Sequence, residues 1–294
     1  KLIGDSTEHL ASHYGATLGS LLNVTFGNAA EIIIAIVAIN AGLLELVKAS
    51  ITGAILGNIL LIFGLSIMTS GFKFKEQFFN KENVGMQASM LFLAVIGLTI
   101  PTILAVTVLE PINNTNQMKI QFLSDALAFL LLAVYIASIV FTFFTHKHLF
   151  IFKPREDELV INRERNGNKR DEKEQSSSRH PEIMTQWSKK RSFLLLGLSM
   201  AGVIVISEIL VGSIEVVTAE FGFGELFVGA IIIGIVGNAA EHSSAILLAR
   251  KGKMDLSIGI AAGSGTQIAL FVVPILVIAG ILLNRPFNLV FTVF

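Results

Sequence analysis

Apolar residues in this chain come in long runs, and the polar residues gather between them. Seven stretches reach the roughly 20 apolar residues that a membrane helix needs: 15–39, 50–70, 86–109, 120–144, 192–215, 224–249 and 256–283. Short connectors carrying Gly, Asn or charge separate them, with one exception. Residues 145–191 contain Lys153-Pro154-Arg155-Glu156-Asp157-Glu158, a second mixed-charge run from Asn166 to Glu174, and three consecutive serines from Ser176. Mixed charge without apolar periodicity reads as a flexible or partly helical linker. The pattern predicts an all-α integral membrane protein of about seven transmembrane helices, divided into 1–144, a charged linker 145–191, and 192–294. The first half reads as incomplete at its start and the second at its end, where residues 288–294 open a new apolar run.

Composition strengthens the membrane reading. The chain is 53% hydrophobic and 15% charged, against about 25% charged for an ordinary soluble domain. A net charge of +0 gives no general case for nucleic acid, and the absence of cysteine excludes disulfides and thiolate metal sites. Residues 1–14 are polar and have no cleavable apolar core. All but three of the 22 Lys and Arg fall on the side of the spans that holds residues 1–14, the 71–85 loop, the linker and the 250–255 loop; the three are Lys48, Lys119 and Arg285. The positive-inside rule then puts residues 1–14 and the linker in the cytoplasm. Trp187, followed by Lys189-Lys190-Arg191, is expected to anchor the fifth span at the interface.

Five residues recur letter for letter inside two of the apolar runs. Gly27-Asn28-Ala29-Ala30-Glu31 returns 210 positions later as Gly237-Asn238-Ala239-Ala240-Glu241, with Gly19/Gly229, Ala35/Ala245, Ile36/Ile246 and Gly53/Gly263 in the same register. The copies lie in the first and sixth spans, an odd difference, so they cross the membrane in opposite directions. Inverted repeats with a midplane site at their interface are the architecture of many secondary transporters. The expected fold is therefore an inverted-repeat transporter fold.

An acid in the middle of an apolar span is costly and by default functional. Glu31 and Glu241 are the candidates for binding a cation or protons. Asn28 and Asn238 stand three positions earlier, on the same helical face, and offer amide oxygens. Asn58 in the second span, with Ser264 and Gln267 in the seventh, adds neutral oxygens, although Ser and Thr also bond back to their own helix. Two carboxylates with amide, hydroxyl and carbonyl oxygens suit calcium, which takes 6–8 oxygens at about 2.3–2.6 Å. Two ionised glutamates are neutralised by one divalent ion or by two protons, so either loaded state avoids an uncompensated buried charge. His242, next to Glu241, is a candidate proton relay or a structural hydrogen-bonder. Glu8, Glu208 and Ser264 are candidates for an access pathway, and Asp125, Glu215 and Glu225 read as ordinary interfacial acids.

These blocks, with Leu56-Gly57-Asn58 and Gly263-Ser264-Gly265-Thr266-Gln267, closely resemble the calcium/proton exchanger family of the cation/calcium antiporter superfamily. The resemblance covers nearly the whole chain outside the linker. It implies eleven spans in a full-length member, one extra helix and two inverted halves of five, of which the seven here would be the third to the ninth. It further implies that Glu31 and Glu241 are the shared calcium and proton sites, with Asn28, Asn238 and Gln267 nearby. The family's connecting loop is often acidic, whereas the linker here is nearly balanced in charge.

The expected function is a secondary antiporter, not an enzyme, exchanging Ca2+ for H+ by alternating access, with no cofactor. Its expected partners are those two ions and the lipid bilayer; plasma and vacuole-type membranes, and a homo-oligomer, are left open. A sodium-coupled exchanger of the same superfamily is the near alternative, though it needs more oxygen ligands than the alanines beside each glutamate supply. A passive cation channel or a calcium-gated membrane protein is the alternative from another class. A hydrolase is disfavoured by the lack of His-Glu-x-x-His, of Gly-x-Ser-x-Gly and of any nucleophile paired with a base.

Overall fold

A computed structural model describes residues 2–14, 22, 25–77, 79–108, 114–146 and 187–291. Most of the 145–191 linker lies outside the described residues, as does most of the first predicted span before residue 25. The described residues are all-helical: α1 (Leu2–Tyr14), α2 (Ala29–Asn40), α3 (Leu44–Gly71), α4 (Lys81–Thr107), α5 (Thr115–Thr145), α6 (Lys189–Phe221), α7 (Glu225–Val236), α8 (Ala239–Arg250) and α9 (Met254–Leu282). Helices α3, α4, α5, α6 and α9 are each long and apolar enough to cross a membrane by themselves. With α7 and α8, bent by 50° where they join, the described residues supply up to six spans rather than seven, and α2 is the described remainder of the first predicted one. Only helices and closed barrels satisfy every backbone polar group in hydrocarbon.

Helices α3, α4, α5 and α6 begin or end about a turn or more beyond their predicted spans, whereas α7, α8 and α9 keep to theirs within two residues. Lys48, expected in a connector, sits in the second turn of α3 and is almost buried; its Nζ donates to Glu45 Oε1 at 3.0 Å and to Asn288 Oδ1 at 3.1 Å. The polar start of the chain, expected as a cytoplasmic tail, is also helix. Its C-terminal end meets the start of α6, where the Trp187 ring stacks on His9 at 4.5 Å and lies under the Arg191 guanidinium at 5.0 Å, with Lys189 over Tyr14. Trp187 therefore ties α1 to the start of α6.

The repeat is structural as well as sequential. Helices α2 and α8 both run twelve residues and start at equivalent positions, Ala29 and Ala239. The preceding Asn28 and Asn238 share nearly one backbone conformation, φ −95°, ψ 12° and φ −93°, ψ 12°. Each helix ends in the same tight turn, in which Gly42 at φ 85° and Gly252 at φ 76° take a left-handed conformation that only glycine adopts cheaply. The backbone bonds Leu43 N to Ala38 O and Lys253 N to Leu248 O close the two turns alike, at 2.9 and 3.0 Å. Then α3 and α9 each run through a π-helical turn, Gly57–Ile62 and Ile268–Val272, and resume α-helix at Phe63 and Val273.

Contacts between loops set the relative direction of the halves. The 72–80 loop meets the 250–255 loop, with Asn80 N donating to Asp255 and Lys73 Nζ to Arg250 O. The start of α3 meets the segment after α9 through Lys48 and Asn288. So α3 ends where α9 begins and begins where α9 ends, and the repeats are antiparallel. Residues 284–291 fold back as a strap, with Phe287 and Leu289 fully buried, Leu289 N bonded to Ser124 Oγ and Phe291 N to Thr102 Oγ1. Helix α9 is the most enclosed span, and α5 and α6 are largely exposed on the outside, as expected of faces solvated by lipid.

Candidate functional site

The two halves meet where α3 crosses α7, and small residues allow it. A Cβ on Gly53 would overlap the carbonyl of Ala230; one on Gly234 would lie 2.7 Å from Ser50 O, and one on Gly229 2.6 Å from Leu46 O. Side chains at these three places would force the backbones apart, as at other small-residue crossings in membranes. The close approach brings the interrupted helices of one half against the π turn of the other.

Both acids occupy the first turn of a short helix, Glu31 in α2 and Glu241 in α8. The break at Gly237-Asn238 ends α7 and starts a new helix whose N-terminal dipole favours negative charge in its first turn. Glu31 lines a cavity of about 60 Å³ shared with Asn238, Gly237, Gly234, Ser50, Ala54 and Ile268. That volume holds more than one water-sized guest, since a single water needs about 10–15 Å³ by this measure. Glu31 Oε2 is buried there with no hydrogen-bond partner. The acid of the first repeat and the Asn of the second thus share one cavity.

The neutral candidates are drawn together across the same interface. Asn28 Nδ2 donates to Gln267 Oε1 at 2.8 Å, linking residues 239 positions apart. Asn58, 1% exposed in the π turn of α3, donates from Nδ2 to Ser264 Oγ at 3.1 Å and bonds through Oδ1 to His242 Nε2 at 3.0 Å. Ser264 Oγ in turn donates to Glu241 Oε2 at 2.9 Å. Asn238 commits its amide nitrogen to Gly234 O at 3.0 Å, one turn back. Among the described residues no group of three or more His, Asp or Glu converges.

The remaining candidates are placed differently. Ser264, expected along an access route, is buried at Glu241. Glu208 is exposed on α6, beside the fully buried Ser207, and is not part of this cluster. Glu8 belongs to α1, and its side chain lies outside what is described. One amide was missed. Gln87 in α4 has a buried Oε1 without a partner, 3.8 Å from where a Cβ on Gly263 would stand. The available signal was a polar residue at the very start of a predicted span, a position that usually means only proximity to the interface.

Residues 1–144 and 191–294 match the family described as sodium/calcium exchanger protein. The chain belongs to this family. Among exchanger-family relatives, it is 40% identical over 292 residues to the Ca(2+)/H(+) antiporter of Aphanothece halophytica, covering 99% of this chain and 74% of that protein. It is 38% identical over 291 residues to the Ca(2+)/H(+) antiporter ChaA of Bacillus subtilis, with 99% and 75% covered. The solved structure of native YfkE superposes with a TM-score of 0.74 at 34% identity, covering 99% of this chain and 74% of that one. This exchanger-family chain is thus a multi-pass membrane protein built on the transporter architecture of those relatives.

Proposed function

We propose that this protein is a secondary antiporter that exchanges Ca2+ for H+ by alternating access, with Glu31 and Glu241 binding either the metal ion or the protons. The observation that carries the reading is a first-turn glutamate at the equivalent place in each of two antiparallel repeats, one of them with a bare carboxylate oxygen in a cavity of ion-binding size. Relatives named Ca(2+)/H(+) antiporter support the choice of ions. Asn28, Asn238, Asn58 and Gln267 would complete an oxygen shell for a hard cation. His242 would act by fixing that shell from behind.

Electroneutrality explains the coupling. A site holding two ionised carboxylates in a low-dielectric span is unfavourable when empty, whereas one divalent ion or two protons cancels its charge. Only the loaded forms then cross between the two sides, and exchange is obligatory. The positive-inside count supports a cytoplasmic location for the linker, the 72–80 loop and the 250–255 loop.

The test is transport by the full-length protein reconstituted in vesicles. An imposed pH gradient should drive Ca2+ uptake, and Glu31→Gln or Glu241→Gln should lower it at least about a hundredfold, because each removes one of two neutralising charges. Full transport by either variant overturns the assignment. Uptake driven only by a sodium gradient identifies a sodium-coupled exchanger instead, and flux that follows the calcium gradient without counter-transport identifies a channel.

A further inference from the structure

The repeat symmetry is broken at the two acids in a consistent way. Glu241 is held by an arm that runs through Ser264 and Asn58 to His242. Shifting each arm position by the repeat length gives Ala54 for Ser264, Ile268 for Asn58 and Ile32 for His242. Ala54 and Ile268 are in the wall of the Glu31 cavity, where the corresponding arm would stand. Glu31 Oε2 accordingly has no partner, while Glu241 Oε2 has one.

The arm has a forced direction. An ionised carboxylate only accepts, so the Ser264 hydroxyl must donate to it. Ser264 then receives the Asn58 amide N–H, Asn58 Oδ1 must accept, and His242 must present Nε2–H. The Ser264 proton is thereby committed to Glu241, and Asn58 takes up one of its oxygen lone pairs. Ser264 is built to orient a ligand rather than to be one.

We infer that Ser264 is a positioning residue that makes the two glutamates inequivalent: Glu241 is a pre-oriented, fixed ligand, and Glu31 is a free arm that closes on the ion and releases it. The inference rests on the antiporter reading and deepens it. A fixed partner lowers the orientational cost of capture. A second carboxylate whose Oε2 no side chain holds keeps release fast, and the cavity leaves it room to move.

The measurement is initial-rate Ca2+ uptake against calcium concentration, by the full-length protein in vesicles with a fixed pH gradient. Ser264→Ala should raise the apparent KM about tenfold, the size expected for one charge-assisted hydrogen bond, and lower the maximal rate by much less. Ser264→Thr, which keeps the hydroxyl, should stay within about threefold of the parent KM. Ala54→Ser gives Glu31 the missing donor, so alone it should lower both KM and maximal rate, and in the Ser264→Ala background it should recover at least about threefold of the lost affinity. A plain packing role for Ser264 predicts no such recovery. An unchanged KM in Ser264→Ala, or a folded double variant with no recovery, overturns the inference while leaving the antiporter reading intact. Absence of proton-driven uptake by the parent protein overturns the antiporter reading itself.

Discussion

At the scale of single residues, the polar groups at the centre of this protein bond mainly to partners from the other repeat. The Asn28–Gln267 bond spans the interface, as does the Asn58–Ser264 bond, and each is a neutral pair in surroundings where an unmade bond is expensive. Deleting one member removes the other's partner across the interface. Asn28→Ala and Gln267→Ala should each destabilise by about 1–3 kcal/mol, and the double variant should fall short of their sum, leaving a coupling of about 1 kcal/mol in a double-mutant cycle. Thermal unfolding in detergent, followed by loss of the monodisperse chromatographic peak, is the measurement; strict additivity would mean that the bond is absent in the membrane-embedded protein. The residue types involved were readable from the sequence because an amide or acid amid isoleucines is an anomaly. Their pairing was not readable, since nothing in the local sequence says that Asn58 chooses Ser264 rather than Gln267.

At the scale of elements, the decisive feature is how closely α3 and α7 cross. Helices in lipid gain nothing from hydrophobic exclusion, so their association depends on packing and on interhelical polar contacts. Here Gly53, Gly229 and Gly234 admit the opposing backbone itself. Gly53→Ala puts a methyl group onto the Ala230 carbonyl and should cost at least about 3 kcal/mol, the upper end of ordinary overpacking, with a matching fall in thermal stability. Gly64→Ala, where nothing lies within 4 Å, is the control and should be nearly neutral. Equal stability for both variants would mean that the crossing is looser than described. The matched π turns are the other finding at this scale, since they carry Asn58 and follow Gln267 directly. The apolar runs mark the spans well but are blind to such turns, because inserting one residue into a helical turn changes which face a side chain takes without changing hydropathy.

For the whole molecule, antiparallel repeats require equivalent turns to lie on opposite sides of the membrane. The exposed Asn40, before the Gly42 turn, and the exposed Lys251, before Gly252, are the paired reporters. The chain has no cysteine, so a single introduced thiol is unambiguous. In sealed vesicles, Asn40→Cys should react with a membrane-impermeant maleimide from the side opposite the linker, and Lys251→Cys from the linker's side. Labelling of both from one side would contradict the inverted arrangement.

The sequence by itself determined that the chain spans a membrane repeatedly, that it contains a duplicated Gly-Asn-Ala-Ala-Glu element running in opposite directions, and which acids lie within the spans. Those properties are local or periodic: hydropathy is summed along the chain, parity follows from counting crossings, and an acid in an apolar run is visible where it stands. Tertiary structure alone decided that Glu31 faces Asn238, Gly234 and Ile268, that Glu241 is tied through Ser264 and Asn58 to His242, and that Gln87 stands beside the same helix. These depend on the rotation and depth of helices far apart in sequence, set by the glycine crossing and the π turns. Two identical pentapeptides therefore end in different surroundings, because what surrounds each acid comes from parts of the chain that the repeat did not preserve.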